Sequence, residues 1–288
     1  MRGMMRILVW VLTVASLVGL FAGGMTEVRA EDRVRELYVT DVLTFPGKPV
    51  QLQARLTEQG PEGEQGLAKE PVEFFLQGQA VGEVATDAQG WARLDFTPKM
   101  RGNLELRAKW GTSAKREMIE GKGVLLSWER RRPILLIDLA VLMEGELETE
   151  SPRSELFPDS GLVLGEPQAA APAELWKLAE FYYNLVYIDR TGKGRVEAIQ
   201  SWLRKNKFPP GMIRTLPQTP TALPDVLQAL QEEGWENVSG GIGQTVDFAE
   251  VLLKNRLQAI ILPRPGNQAR FPRRAILLND WSRVRRYL

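Results

Sequence analysis

An uninterrupted apolar run that ends in a carboxylate constrains this chain more than any other stretch. Residues 133–140 read Pro-Ile-Leu-Leu-Ile-Asp-Leu-Ala, and no polar residue interrupts residues 134–137. Such a run is typical of a strand that is covered on both faces, as in a parallel α/β sheet. Ligands bind such sheets at the carboxyl ends of the strands. Asp138 is therefore predicted where a nucleophile or a metal ligand would lie, although a capping role in a turn is the plainer interpretation.

Further strands and helices alternate after this run. A second apolar strand over residues 184–188 ends at Asp189, and a third covers residues 259–262. Helical spacing of apolar residues, such as Leu175, Trp176 and Leu178, is present between the strands. We predict helices over residues 173–182, 194–205, 223–233 and 246–255. This alternation predicts a three-layer α/β domain with a parallel sheet over residues 121–288.

The region before this domain shows the period of β-strands instead. Val50, Leu52 and Ala54 alternate with Gln51 and Gln53, and similar short segments recur between turn residues. This pattern predicts an all-β sandwich over residues 31–120. Residues 78–92, which contain a Thr-Asp-x-x-Gly turn, resemble the corresponding part of bacterial immunoglobulin-like domains. The resemblance implies a spacer or interaction module without catalytic residues.

The N-terminal segment has the features of an export signal. Arg2 and Arg6 precede an apolar run from Ile7 to Ala22, and small residues occupy positions 28 and 30. We expect a signal peptide over residues 1–30 that is cleaved after Ala30, and an uncleaved membrane anchor is the alternative. Cleavage would leave the mature protein in the periplasm or outside the cell.

The composition narrows the chemistry that the chain can perform. Its 288 residues include no His and no Cys, so imidazole bases, thiol nucleophiles, disulfides and thiolate metal sites are excluded. A formal net charge of +1 gives no reason to expect a nucleic-acid partner. Any chemistry would have to use carboxylates, hydroxyls, Lys or Arg together with a hard cation such as Mg²⁺.

The order of motifs in the second half resembles the haloacid dehalogenase (HAD) superfamily, and within it the lipin-like phosphatidate phosphatases. The motifs are the strand that ends at Asp138, the segment 187–190, the turn Phe-Pro-Pro-Gly at 208–211, and residues 243–247. The resemblance implies a HAD-like (Rossmannoid) fold and Mg²⁺-dependent phosphoryl transfer to an Asp nucleophile. Asp138 matches that nucleophile, and Asp247 matches a metal ligand.

Three other positions depart from the family pattern. Ala140 stands where the family has its general acid/base, and Asp189 stands where it has a phosphate-binding Ser or Thr. Thr191 would bind phosphate only if the register differed by two residues. The family's Lys has no counterpart in residues 215–226. We therefore expect a non-catalytic domain with a binding or structural role, and the alternative is a phosphatase that uses Asp138 as nucleophile with Asp138 and Asp247 as ligands of Mg²⁺.

The C-terminus is rich in arginine. These residues are Arg264, Arg270, Arg273, Arg274, Arg283, Arg285 and Arg286. A solvated basic edge is the plainer interpretation, and a weak contact with an anionic membrane surface is the alternative. The expected partner is accordingly an unidentified protein or an anionic ligand.

Overall fold

The computed structural model describes residues 34–60, 63–111, 118–144, 164–190, 196–216, 222–262 and 269–288. The predicted signal peptide with its cleavage site, Thr191 and Arg264 lie outside the described residues. Within the described ranges, no helix combines the length and the apolar character that crossing a bilayer requires.

The first domain consists of two sheets packed on one core. Its strands are β1 (Arg35–Val39), β2 (Val42–Thr44), β3 (Val50–Gly60), β4 (Gly63–Gly66), β5 (Pro71–Leu76), β6 (Gln79–Ala85), β7 (Trp91–Phe96), β8 (Gly102–Trp110) and β9 (Ile119–Ser127). One sheet has the order β1-β3-β4 with β7 also paired to β3, and the other has the order β2-β9-β8-β5-β6. Leu52, Leu56, Phe74 and Leu106 lie fully buried between them. The predicted all-β sandwich is confirmed.

The Thr-Asp-x-x-Gly segment forms the turn that precedes β7. One Asp87 carboxylate oxygen accepts hydrogen bonds from the backbone N–H groups of Gln89 and Trp91, each at 2.9 Å. Gly90 has a positive φ of 81°, and a Cβ at this position would lie 2.3 Å from the carbonyl oxygen of Leu56. Both the backbone conformation and the close approach of β3 therefore require glycine at this point.

The second domain contains a six-stranded parallel sheet. Its strands are β10 (Ile134–Asp138), β11 (Asn184–Asp189), β12 (Met212–Thr215), β13 (Val238–Gly243), β14 (Gln258–Ile261) and β15 (Ile276–Leu277). Its helices are α1 (Ala171–Phe181), α2 (Val196–Lys205), α3 (Ala222–Glu232) and α4 (Val246–Lys254), with short 3₁₀ turns at Leu139–Leu142 and Trp281–Arg286. The strand order is β12-β11-β10-β13-β14-β15, and every pairing is parallel.

Helices cover both faces of this sheet, which explains the uninterrupted apolar run in β10. Leu135 and Ile137 pack in a core with α1 and α2, whereas Ile134 and Leu136 pack in a second core with α3 and α4. Because successive side chains of a strand point to opposite faces, each apolar residue of β10 packs in one of the two cores. The predicted three-layer α/β domain with a parallel sheet is confirmed.

The two domains share buried side chains at their junction. Strand β9 pairs with β8 along its full length, so the boundary predicted between residues 120 and 121 falls inside a strand of the sandwich. The chain then contributes Trp128 to the core beneath α3, where its ring lies 5.9 Å from that of Trp235 in an edge-to-face arrangement. Phe45 of the sandwich lies 6.3 Å from the same Trp235 ring. The junction is therefore a packed apolar contact rather than a free linker.

Candidate functional site: a charged crevice at the carboxyl ends of the strands

The order of strands creates a crevice beside β10. The chain adds β11 and β12 on one side of β10 and then crosses to add β13, β14 and β15 on the other side. In open parallel sheets the place where the order reverses is the topological switch point, and ligands bind there outside the carboxyl ends of the strands. Asp138 ends β10, Arg190 directly follows β11, and Thr245 caps α4 after β13. These three residues therefore meet at the crevice.

Asp138 is almost completely buried, with 1% of its surface exposed. Its Oδ1 accepts a hydrogen bond of 3.1 Å from the backbone N–H of Ala140, so it caps the 3₁₀ turn Leu139–Leu142. The structure thus gives Asp138 the turn-capping role that was the plainer interpretation of its position. Its second carboxylate oxygen faces the crevice and is 3.6 Å from Nη1 of Arg190.

Arg190 connects the two sides of the crevice. Its Nη1 donates a hydrogen bond of 2.6 Å to Oγ1 of Thr245, and its Nη2 donates to the Asp247 carboxylate. The guanidinium group therefore contacts Asp138 from β10, and Thr245 and Asp247 from the start of α4. The Arg190 side chain is 27% exposed, whereas that of Asp247 is 62% exposed. The crevice thus has a buried carboxylate at its base, a guanidinium above it and a second carboxylate at its rim.

The two carboxylates have pKa values shifted in opposite directions. Burial, with a smaller contribution from the charge of Asp247, raises the pKa of Asp138 to about 6 against the opposing effect of Arg190. For Asp247 burial acts in the same upward direction, but hydrogen bonds from Thr245 and Arg190 outweigh it and the pKa falls below the ordinary value. Asp247 is therefore fully ionised at neutral pH, and Asp138 retains a proton in part of the molecules.

This arrangement does not fit a Mg²⁺ ion. Among the residues that the structure describes, no group of three or more His, Cys, Asp and Glu side chains is placed to hold a metal. Mg²⁺ demands near-octahedral oxygen coordination. Asp138 and Asp247 share the guanidinium of Arg190 instead, which supplies the positive charge between them. We therefore derive no chemical step through a metal at this site.

The other predicted site positions add no catalytic group to the crevice. Ala140 lies in the 3₁₀ turn after Asp138 and has no ionisable side chain. Asp189 is the last residue of β11 and is buried, and its carbonyl accepts a hydrogen bond of 2.7 Å from the N–H of Leu216. Thr191 is outside the described residues, so its role stays a prediction.

Sequence reasoning missed Arg190, whose guanidinium contacts Asp138, Thr245 and Asp247. Its signal was available, because it follows directly on the apolar strand that neighbours β10. A buried Asp at a strand end needs a neutralising partner. The basic residue at the end of the adjacent strand is the simplest candidate for that partner.

No protein-family profile and no curated protein matches the sequence. Among solved structures, the chain is similar to the CARDB domain of the PF1109 protein from Pyrococcus furiosus at 13% identity, covering 33% of this chain and 87% of that one with a TM-score of 0.25. It is similar to fibronectin(III)-like modules of Clostridium thermocellum CbhA at 11% identity, covering 32% and 99% with a TM-score of 0.22. The titin M3 domain matches at 12% identity, covering 34% and 97% with a TM-score of 0.24. Likenesses at this level leave the function of the chain open.

Proposed function

We propose that this chain is an exported two-domain protein with a binding or structural role. In this proposal a bacterial immunoglobulin-like module precedes a HAD-like domain that has lost phosphatase chemistry. The observation that carries the proposal is the position of Arg190, whose guanidinium contacts both carboxylates of the crevice. The basic N-terminus followed by an apolar run and small residues supports export.

The strand order supports a Rossmannoid ancestry for the second domain. When its strands are numbered in chain order, the sheet reads 3-2-1-4-5-6, and Asp138 ends the first strand beside the switch point. Open parallel sheets with this strand order bind their ligands at the switch point, outside the carboxyl ends of the strands. The HAD resemblance of the motif order agrees with that placement.

The chemistry of the crevice argues against phosphoryl transfer. A positioned acid/base group contributes about 10²–10⁴-fold to such reactions, and Ala140 cannot provide one. Stabilisation of the transferred phosphoryl group depends on cations aimed at its oxygens. The cation that the structure describes in this crevice, Arg190, is already engaged by Thr245 and two carboxylates. A phosphate would have to displace these contacts and would meet two acidic side chains.

Hydrolysis of p-nitrophenyl phosphate by residues 31–288, with and without Mg²⁺, tests the proposal. We expect no turnover above that of the Asp138→Asn variant under either condition. The Asp138→Asn variant keeps an oxygen that can accept from the Ala140 N–H, so it is a matched control for the turn. Turnover that requires Mg²⁺ and disappears in Asp138→Asn would establish the alternative, a Mg²⁺-dependent phosphatase acting on a phosphate monoester.

A further inference from the structure

We propose that the amino edge of the parallel sheet carries a docking surface for an anionic lipid bilayer. The surface consists of Phe181, Tyr182 and Tyr287 together with Arg283 and Arg286, and we call it the aromatic–arginine surface. It lies at the opposite edge of the sheet from the crevice. The inference therefore holds whether or not the crevice is catalytic.

Exposed aromatic side chains are confined to one part of the described structure. They are Trp176, Phe181, Tyr182 and Tyr287. Three of them belong to α1 or its C-cap, and the fourth follows the C-terminal 3₁₀ turn that packs on α1. Phe181 and Tyr182 are 66% and 60% exposed, and their ring centroids are 6.2 Å apart. The other aromatic side chains of the described residues are buried or half-buried.

Two contacts hold the C-terminal segment against α1, one just after the end of the helix and one in its first turn. The Tyr183 hydroxyl donates a hydrogen bond of 3.2 Å to the carbonyl oxygen of Leu288. Arg285 Nε lies 2.6 Å from the Glu174 carboxylate, which also binds Lys177 at 2.7 Å. These contacts neutralise Glu174 and place the turn on α1. The turn therefore runs along α1, and Tyr287 and Leu288 follow it beside the end of the helix.

The C-terminal turn presents its remaining arginines to solvent. Trp281 and Val284 are buried, whereas Arg283 and Arg286 are exposed. Side chains three residues apart eclipse each other in a 3₁₀ helix, so Arg283 and Arg286 share one side of the turn. Arg132 adds a further positive charge nearby, because its guanidinium donates to the carbonyl groups of Ala179 and Glu180 in the last turn of α1.

A bilayer surface fits this chemistry better than a small ligand. Two cavities among the described residues, of about 780 and 350 Å³, are lined by sandwich residues with parts of the second domain, and the aromatic–arginine surface lines neither of them. Tyr has an apolar ring with a polar tip and is enriched where proteins meet the headgroup region. Anionic headgroups attract arginine at about 1 kcal/mol per residue, or about fivefold in affinity. Glu180, exposed beside Phe181, and Asp280, which caps the turn and interacts with the charge of Arg283, are acidic side chains that oppose this attraction.

Co-sedimentation with lipid vesicles tests the proposal. The experiment uses residues 31–288, which contain all the described elements. Leaving out the apolar N-terminal run prevents that segment from binding the vesicles. We expect binding to vesicles of phosphatidylcholine with phosphatidylglycerol, weaker binding at high salt, and none to phosphatidylcholine alone. The double variant Phe181→Ser/Tyr182→Ser should bind these vesicles roughly tenfold more weakly. In the double variant Arg283→Gln/Arg286→Gln, the loss of each arginine should weaken vesicle binding about fivefold.

Two further variants separate docking from a folding defect. Lys99→Glu with Met100→Ser changes one exposed basic and one exposed apolar side chain of the sandwich, and it should leave binding unchanged. Glu180→Gln should strengthen binding, which an unfolded protein would not do. Absence of binding, or equal binding by the Phe181→Ser/Tyr182→Ser variant, would overturn the proposal. A dimer in light scattering that this variant abolishes would also overturn it, because the occupant would then be a second copy of the chain.

Discussion

The crevice at the carboxyl edge of the parallel sheet and the aromatic–arginine surface at its amino edge use the same kinds of charge in different settings. In the crevice, Arg190 is held between Asp138 and Asp247, and the three charges largely satisfy one another. At the amino edge, Arg283 and Arg286 are exposed beside exposed aromatic rings. Charged residues at a motif position can thus pair with one another within the fold. Charged residues on a surface without a motif can remain exposed to a binding partner.

The largest expected effect comes from removing the guanidinium of the crevice. In Arg190→Met, Asp138 loses its partner and remains buried, so we expect a loss of roughly 2–4 kcal/mol of stability near pH 8. The loss should be smaller at pH 5, because protonation of Asp138 removes the unpaired charge. Urea unfolding at both pH values measures this.

A matched control distinguishes burial from the mere loss of an ion pair. Arg101 pairs with Glu129 on the surface, and both side chains are largely exposed. Arg101→Met should change stability by less than about 1 kcal/mol at either pH, as is usual for exposed pairs. An equally small loss of stability in Arg190→Met would show that the ion pairs of the crevice behave like an exposed pair. The crevice and the amino edge would then not differ in how their charges contribute to the fold.

The second effect is a pH dependence that originates at Asp138. Its pKa is raised from the ordinary value of 3.8 to about 6 in the folded protein, chiefly by burial. The folded state therefore binds a proton that the unfolded state has released, so this group's contribution to stability is full below pH 4 and is lost as the pH rises through about 6. The change amounts to on the order of 2–3 kcal/mol.

Asp138→Asn provides the measurement, because the amide cannot titrate. Stability of the variant between pH 4 and pH 7 should be flatter than that of the parent, while the hydrogen bond to the Ala140 N–H can persist. Thermal unfolding across this pH range in both proteins compares them. Parallel stability curves would show that Asp138 does not titrate with a raised pKa.

A smaller effect is expected at the rim of the crevice. Asp247 is 62% exposed, although it binds Arg190 and lies in the first turn of α4. Asp247→Asn should therefore cost about 0.5–1 kcal/mol, through the exposed pair and the helix dipole, and salt should reduce the difference. Urea unfolding at low and high salt would show this, and a salt-independent loss above about 2 kcal/mol would indicate that Asp247 is as strongly coupled as Asp138.

Much of this fold follows from local patterns, and the exceptions have physical reasons. The residues of β10 read as a buried strand because each of its faces meets a core. Strand β9 was divided by the predicted boundary, because two of its inward positions are the glycines Gly121 and Gly123, which pack against β1 and hide the alternation of apolar residues. Trp176 fits the helical spacing of α1 but is 45% exposed, since its indole N–H donates to the carbonyl of Lys207 at the surface.

The candidate site was less predictable than the fold. Asp138 and Asp247 were correctly placed at strand and helix ends, because these positions follow from the order of elements. Asp138 and Asp247 are connected through the side chain of Arg190. The position of that side chain cannot be predicted from the sequence pattern, because Arg190 follows the end of a strand. The aromatic–arginine surface depends on the packing of the chain's last residues against α1, more than a hundred residues earlier.

The smallest expected effect belongs to the amino edge, and its smallness is informative. Phe181→Ser with Tyr182→Ser removes two rings that are mostly exposed, so unfolding in urea should change by less than about 1 kcal/mol. A fold that needed these rings would lose several kcal/mol, as buried aromatic residues do. Loss of vesicle binding together with unchanged stability would therefore separate the two edges, because charge at the carboxyl edge stabilises the fold and the amino edge remains available to a membrane.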